Sequence, residues 1–272
     1  MKRKESPTQR IKLTLYHNAI SFAEDALQNA VDAEKTNPFR WKFAILSMVQ
    51  AIELTLKELL FRQHPWFIYS NIDKAEQNTL TRHTVTLEVA RSRLKNIAKI
   101  ELTTKESDAL KTAENFRNKL VHYEFDEKLP ELKIAFSRPL GFLNDFHRDH
   151  FEKPIQGEIN PKLWLAGVLI QEYGAELLAR AQSRLAADSN IPSNCVMVCR
   201  HCSMPALPAF GELQRCFVCN QIESFVQCDR CDAVMVYGDE EKMGSSSYCR
   251  KCTEYLSDEG DYLCHLHRDG GR

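Results

Sequence analysis

The chain has 272 residues, of which 43% are hydrophobic and 27% are charged, and its formal net charge is −1. This composition is typical of a globular protein and excludes an intrinsically disordered chain, while ten glycines and ten prolines exclude a collagen-like repeat. The longest apolar run, residues 163–170, is far shorter than the roughly 20 residues of a membrane-spanning helix. No apolar segment follows the basic N-terminus to form a secretory signal, so the sequence predicts a cytoplasmic protein.

The small net charge hides an asymmetry along the chain. The first 122 residues carry 20 Lys and Arg against 14 Asp and Glu, whereas residues 191–272 carry 8 against 12. Because Lys and Arg neutralise phosphates, the N-terminal half is the better candidate for contact with a polyanion, although this excess is modest.

Helical periodicity dominates the first 190 residues, where no segment alternates as a half-buried strand would. The most apolar predicted helix, over 39–62, has no internal Gly or Pro and is the candidate central helix. Residues 66–81 are predicted to form a structured loop. The other predicted helices cover 11–34, Thr84 or Thr86 to about Lys99, Thr104 to Val121, 131–150 and 161–187.

All ten cysteines lie at or after Cys195, and eight of them form four Cys-x-x-Cys pairs. Thirteen residues separate the first two pairs and seventeen separate the last two, spacings that bring paired turns together around a tetrahedral metal ion. In a reducing compartment the pattern predicts two structural Zn²⁺ ions, with thioredoxin-like redox pairs and an iron–sulfur cluster as alternatives. The favoured sequential grouping, over interleaved or nested ones, is Cys199, Cys202, Cys216 and Cys219 in one site, and Cys228, Cys231, Cys249 and Cys252 in the other.

Five further residues of the cysteine-rich region remain outside these pairs. They can contribute to another metal site near the C-terminus or simply belong to a solvated tail with a spare thiol. These residues are Cys195, His201, Cys264, His265 and His267.

One segment of the helical region carries residues suited to RNA chemistry. Asn118 and His122 are four residues apart and share a helix face, which Arg117 adjoins. An Arg that binds phosphate beside a His that moves protons near neutral pH suits metal-independent cleavage, with the RNA 2′-hydroxyl as nucleophile. The alternative is that these cationic side chains simply complement the dipole at a helix C-terminus.

The run Arg117-Asn-Lys-Leu-Val-His122 resembles the R-x4–6-H motif of the HEPN superfamily. The resemblance extends over roughly residues 11–125 and includes residues 51–60, His64-Pro65, and the predicted helix start at 84–88. It implies a four-helix bundle that is often dimeric, with the motif helices of two protomers lining one cleft. It also implies Arg117 and His122 as the catalytic pair and Asn118 as their polar neighbour. Many such proteins are metal-independent endoribonucleases in toxin or antiviral systems, whereas others only bind RNA or nucleotides.

The predicted fold is mainly α, with an antiparallel HEPN-like bundle over 1–125, a helical extension over 126–190 and tandem zinc ribbons of short β-hairpins over 191–272. On the central helix, Glu53 and Lys57 can support the site or form a solvated ion pair. The leading functional hypothesis is a HEPN-type endoribonuclease that acts as a homodimer, with zinc ribbons that place a protein partner or the RNA. The alternatives are a non-catalytic RNA- or nucleotide-binding adaptor, whose ribbons recruit a protein, and a purely structural interaction protein.

Overall fold

The computed structural model describes residues 11–73, 83–124, 126–151, 153–191 and 195–256. Within it the chain divides into two compact units, with the boundary between Glu176 and Leu177. We refer to them as the helical unit and the cysteine unit. The predicted fold class is confirmed, because the first is built from helices, and the second, which begins within the helix over 171–187, carries two cysteine clusters on short antiparallel strand pairs.

Side-chain caps begin several helices. Thr14, Thr86 and Asn160 each accept hydrogen bonds from backbone N–H groups in the first turn that follows. Thr103 rather than Thr104 caps the fourth helix, in a reciprocal capping box with Glu106. The helices are α1 (Leu15–Lys35), α2 (Trp41–Gln63), α3 (Leu87–Arg93), α4 (Thr104–His122), α5 (Leu129–His150), α6 (Pro161–Val168) and α7 (Gln171–Ala187).

Helix α2 is the centre of the helical unit, as its apolar sequence predicts. It packs against α1, α3, α4 and α5 and buries side chains on most of its circumference. Leu56 is completely inaccessible to solvent, and the Trp41 ring meets that of Phe136 from α5 edge to face at 5.3 Å. None of the described helices combines the length and the apolar character needed to cross a bilayer.

A buried histidine lies between α2 and α5. The His147 Nε2 atom is 3.1 Å from the Thr55 hydroxyl oxygen, and its ring stacks on Phe151. Burial, assisted by the nearby Arg62 guanidinium, lowers the pKa of His147 to about 4. His147 is therefore neutral in the folded protein near pH 7.

The prediction of one continuous helix over 161–187 is wrong. The chain leaves the helical path after Val168, and α7 begins at Gln171 after two intervening residues. Trp164 and Tyr173 are nine residues apart and would face opposite sides of a continuous helix, since nine steps of about 100° end half a turn away. The break lets both rings bury, with their centroids 5.8 Å apart. Tertiary packing has thus overridden a continuous helical pattern.

The segment before α3 is held by a side chain of α3 and by a bridge within the segment itself. Arg93 donates to the carbonyls of Phe67 and Tyr69 at 2.6 and 2.7 Å, and Tyr69 forms an isolated bridge with Thr84. This accounts for the described part of the loop predicted over 66–81, of which residues 74–81 lie outside the described residues. After α3 a π-helical turn, Leu94–Ala98, ends at Lys99 with a left-handed φ of 58°.

The described residues of the cysteine unit form seven short strands, all paired antiparallel. Strand β4 is the longest and is the middle strand of the sheet β3–β4–β5, while β1 pairs with β2 and β6 with β7. A short helix over 250–256 follows the last pair. The strands are β1 (Val196–Val198), β2 (Pro205–Pro208), β3 (Leu213–Arg215), β4 (Ile222–Gln227), β5 (Val234–Val236), β6 (Glu241–Met243) and β7 (Ser246–Tyr248).

Candidate functional site

Three of the four Cys-x-x-Cys pairs form the same backbone turn, which we call the cysteine turn. In the first, Cys199 N–H donates to the Met204 carbonyl at 2.9 Å, and Ser203 N–H donates back to the Cys199 carbonyl at 2.8 Å. The turns that begin at Cys216 and Cys228 repeat both bonds. In each, the residue after the second cysteine adopts a left-handed backbone, which Asn and Asp tolerate better than most residues. These residues are Ser203, Asn220 and Asp232, with φ of 58°, 63° and 57°.

The fourth pair differs, because it opens the helix over 250–256. Cys252 and Thr253 N–H groups donate to the Cys249 carbonyl at 2.9 and 3.0 Å, so a helical turn brings the two sulfurs to one side. A helical turn and a cysteine turn thus have the same effect: each brings together the sulfurs of two cysteines that are three positions apart in the sequence.

The first cysteine cluster consists of Cys199, Cys202, Cys216 and Cys219, all buried. Its sulfurs lie within 4.8 Å of one another, with 3.6 Å between Cys199 and Cys219 and 3.7 Å between Cys202 and Cys216. Four sulfurs at the usual zinc–sulfur distance of about 2.3 Å form a tetrahedron with edges of about 3.8 Å. The cluster therefore has the dimensions of a tetrahedral thiolate site.

The second cysteine cluster consists of Cys228, Cys231, Cys249 and Cys252, and it is less protected. Cys228 is buried, Cys231 is exposed and the other two are half-buried. The Cys231 and Cys249 sulfurs are 3.8 Å apart, and Cys249 N–H donates to the Cys228 sulfur at 3.3 Å. The two clusters follow the sequential grouping, and neither combines cysteines from interleaved pairs.

The protonation chemistry of both clusters favours a bound cation. Burial acts to raise the pKa of Cys228, but backbone N–H donors, including those of Cys249 and Arg230, outweigh it and bring the pKa to about 6. In the first cluster, the sulfurs of Cys199 and Cys202 raise the pKa of Cys216. Neighbouring thiolates repel, so four can coexist at these distances only when a cation compensates their charge.

The five residues that lie outside the Cys-x-x-Cys pairs do not form one group in the structure. The His201 ring does not join a cluster, because its Nε2 atom contacts the Glu223 carboxylate at 2.7 Å. Cys195 is half-buried and belongs to neither group of sulfurs. Cys264, His265 and His267 lie outside the described residues, so a further C-terminal metal site stays a prediction.

The end of α4 carries the three residues with RNA-directed chemistry. Arg117 donates from Nη1 to the Asn118 side-chain oxygen at 2.9 Å, and both residues are half-buried. His122 is exposed, and its ring meets that of Tyr123 at 6.5 Å. Asn118 and His122 share a face, whereas Arg117 is about 140° around the helix from His122. No hydrogen bond joins Arg117 to His122 among the described residues.

A groove of about 410 Å³ runs beside this helix end. Asn118 lines it, but Arg117 and His122 do not, so one copy of α4 does not collect all three side chains in a single cavity. The remaining lining residues are Thr112, Asn115, Phe116, Lys119 and Tyr123.

Glu53 and Lys57 form the predicted ion pair, but Lys57 is buried rather than solvated. The Lys57 ammonium contacts the Glu53 carboxylate at 2.5 Å and donates to the Thr84 hydroxyl at 2.8 Å. The pair thus fastens α2 to the segment before α3. Among the described residues, neither side chain forms a hydrogen bond or ion pair with Arg117, Asn118 or His122.

No protein-family model, curated protein or solved structure matches this chain. The HEPN resemblance therefore stays a prediction from the motif and the helix order, and the function is argued from the geometry of the two units.

Proposed function

We propose that each cysteine cluster binds one Zn²⁺ ion and that the cysteine unit is a pair of zinc ribbons. The support is the sulfur spacing, which fits the tetrahedron that four thiolates form around zinc. Each ion cross-links two turns that are distant in sequence, and four thiolates leave no position for a reactive water. The ions are structural in this proposal. A reducing compartment such as the cytoplasm keeps the eight thiols available for the metal.

Metal analysis of the purified chain tests this proposal. We expect two zinc ions per chain, and we expect Co²⁺ substitution to give the intense visible absorption of tetrahedral cobalt–thiolate sites. Cys195→Ser is the matched control, since Cys195 lies outside both clusters and its loss should leave two ions bound. A chain that folds with no bound metal, or with iron and sulfide instead, would contradict the zinc assignment.

We further propose that the helical unit acts on RNA as a metal-independent endoribonuclease. The single observation that carries this is the end of α4, where Arg117 engages Asn118 and an exposed His122 shares the Asn118 face. Together with the HEPN resemblance, this arrangement assigns a phosphate-binding role to Arg117 and a general acid–base role to His122.

The chemistry assigned to these residues balances without a metal. The 2′-hydroxyl oxygen attacks the adjacent phosphorus as His122 takes the hydroxyl proton, and the bond to the 5′-oxygen breaks as His122 passes that proton to the leaving 5′-oxygen. The products are a 2′,3′-cyclic phosphate and a 5′-hydroxyl. Arg117 keeps N–H donors beyond the one given to Asn118, and these stabilise the charge on the pentacovalent phosphorus.

The placement of Arg117 and His122 on α4 is our argument for a homodimer. Arg117 and His122 diverge by about 140° on one helix, so a single α4 presents them poorly to one phosphate. In the proposed dimer two α4 helices face each other, with the Arg117 of one copy toward the His122 of the other. We therefore propose that the site is completed by a second copy of this chain.

Cleavage of RNA by wild type and His122→Ala, in EDTA and with zinc content checked, tests the enzyme proposal. Wild type should leave 2′,3′-cyclic phosphate ends, and the folded variant should lose at least about 100-fold in rate, the contribution expected of a general acid–base group. His83→Ala, an exposed histidine of the same unit, is the matched control and should cleave normally. Equal activity of wild type and His122→Ala would reject His122 as the catalyst.

One observation favours a second candidate function, an RNA- or nucleotide-binding adaptor whose ribbons recruit a protein. Arg117 is directed to Asn118, and the adjoining groove contains Lys119 but not His122. An adaptor requires Arg117 for binding and does not require His122. Retained RNA binding by His122→Ala, with no cleavage by the wild type, would favour this candidate. Unchanged RNA binding after replacement of both residues would instead indicate a purely structural role.

A further inference from the structure

The two middle residues of the first cysteine turn hold a single buried carboxylate. The Glu223 side chain is only 2% exposed. Arg200 donates to both of its oxygens, from Nε at 2.9 Å and from Nη2 at 2.7 Å, and His201 Nε2 lies 2.7 Å from Oε1. A buried carboxylate is strongly destabilising without such partners, so Glu223 depends on the position of the turn between Cys199 and Cys202.

Glu223 belongs to the strand that links the two cysteine clusters. Strand β4 begins three residues after Cys219, the last ligand of the first cluster, and runs directly into Cys228, the first ligand of the second. It pairs with β3 on one side and β5 on the other. The first cysteine turn therefore contacts, through Glu223, the strand β4 that leads directly to Cys228.

The cysteine turn that begins at Cys228 contacts the segment that carries the other half of the second cluster. Asp229 N–H donates to the Ser247 carbonyl at 2.9 Å, and Ser247 N–H donates to the Asp229 carboxylate at 2.7 Å. Cys249 N–H then donates to the Cys228 sulfur. Contacts thus run from the first cluster through Glu223 and β4 to the turn that holds β7 and Cys249.

We propose that the contact between Arg200 and Glu223 couples metal binding at the two cysteine clusters. The inference rests on the proposed zinc function. A metal ion in the first cluster fixes the turn that carries Arg200, and Arg200 then holds Glu223 in place. Because Glu223 belongs to β4, this contact keeps β4 in the register that brings Cys228 to the second cluster. Filling the first cluster therefore raises the affinity of the second for metal, and by linkage the second raises the affinity of the first equally. Glu223 and Arg200 are positioning residues and touch no metal.

Zinc titration of the apo full-length chain against a chromogenic chelator tests the coupling. Cys202→Ser disables the first cluster, and we expect it to weaken zinc binding at the second by roughly five- to 150-fold, the usual range of coupling between sites. Glu223→Gln should weaken the second cluster similarly in the otherwise wild-type chain, yet have little added effect in the Cys202→Ser background. Non-additivity of this kind is not expected if Glu223 only stabilises the fold.

Two further variants keep the test decisive. Glu241→Gln, an exposed glutamate of the same unit, is the matched control and should not change either affinity. If Glu223→Gln fails to fold, Arg200→Gln breaks the same contact from a side chain that is 51% exposed and should give the same loss. Two ions that bind wild type independently would overturn the coupling and leave the zinc proposal intact. Fewer than two bound ions would reject the zinc proposal itself.

Discussion

The helical unit and the cysteine unit are held together in different ways. The helical unit buries large side chains, including Trp41, Trp164 and Phe136, around one apolar helix. The cysteine unit has strands of three to six residues, and its cysteines fill much of its interior. Apolar burial is the main source of stability in the first unit, whereas so small a core as the second needs cross-links. The two units should therefore respond to different perturbations.

Metal removal should have the largest effect and should be confined to the cysteine unit. On the zinc proposal metal binding supplies the folding free energy of residues 196–256, so extraction of metal by a strong chelator under reducing conditions should abolish the protection of backbone amides there. Hydrogen exchange read by mass spectrometry measures this. All three tryptophans, Trp41, Trp66 and Trp164, lie in the helical unit, so their fluorescence should not change. Amides over residues 196–256 that stay protected without metal would contradict the difference between the two units.

A cavity in the helical core should have the converse effect. Leu56→Ala should lower the free energy of unfolding of the helical unit by about 2–5 kcal/mol, because Leu56 is completely buried on α2. Urea unfolding followed by tryptophan fluorescence measures the loss, and the number of bound zinc ions should stay the same. Leu169→Ala is the matched control, since Leu169 is 66% exposed. Release of zinc by Leu56→Ala would show that the two units do not unfold independently.

Acidification should weaken the helical unit through His147. The pKa of His147 in the folded protein, about 4, is below the ordinary value of 6.5. Between these pH values the unfolded chain therefore binds a proton at His147 and the folded chain does not. Stability from this group is complete above pH 6.5 and falls as the pH drops toward 4, by about 2 kcal/mol between pH 7 and pH 5. Urea unfolding by tryptophan fluorescence should show that His147→Gln removes this part of the loss. Equal pH dependence in both proteins would contradict it.

The smallest predicted effect concerns the start of α4. Thr103→Ala removes the capping box with Glu106 and should cost the helical unit about 1 kcal/mol. Thr112→Ala, in the interior of the same helix, should leave stability unchanged or slightly raised because alanine favours helix. Thermal unfolding followed by tryptophan fluorescence compares the two. A Thr103→Ala protein as stable as the wild type would show that solvent satisfies this helix end equally well.

Local signals in the sequence were sufficient for most elements. The apolar run over 39–62 predicted α2 to within two residues at its start and one at its end, and threonines marked the starts of α3 and α4. The break between α6 and α7 has no such signal, because the apolar pattern continues through Gly167 and Val168. It arises from the need to bury Trp164 and Tyr173 together, which only the folded arrangement reveals.

In the candidate sites, too, local features could be predicted from the sequence, whereas contacts between distant residues could not. The Cys-x-x-Cys spacing was sufficient to bring eight sulfurs together two by two, because a turn of this length is a local structure. It favoured the sequential grouping of the pairs without excluding the interleaved or nested ones, and the two clusters follow the sequential grouping. Glu223 was missed, since a glutamate in a strand gives no sign of burial and its partners, Arg200 and His201, are more than twenty residues away. An Asn or Asp directly after Cys-x-x-Cys was an available signal for the left-handed turn, at Asn220 and Asp232.

The cysteine turn occurs three times with the same two backbone hydrogen bonds, and each copy closes within six residues. The conformation of such a segment is set by its own hydrogen bonds, so the segment can be inserted wherever two chain ends lie close together. It is therefore a unit that gene duplication can copy whole, in contrast to a helix of the first unit, which fits only the neighbours it packs against. Each cysteine cluster takes its four sulfurs from two Cys-x-x-Cys pairs, so a cluster can be gained or lost in evolution as two short segments, and the helical fold need not change.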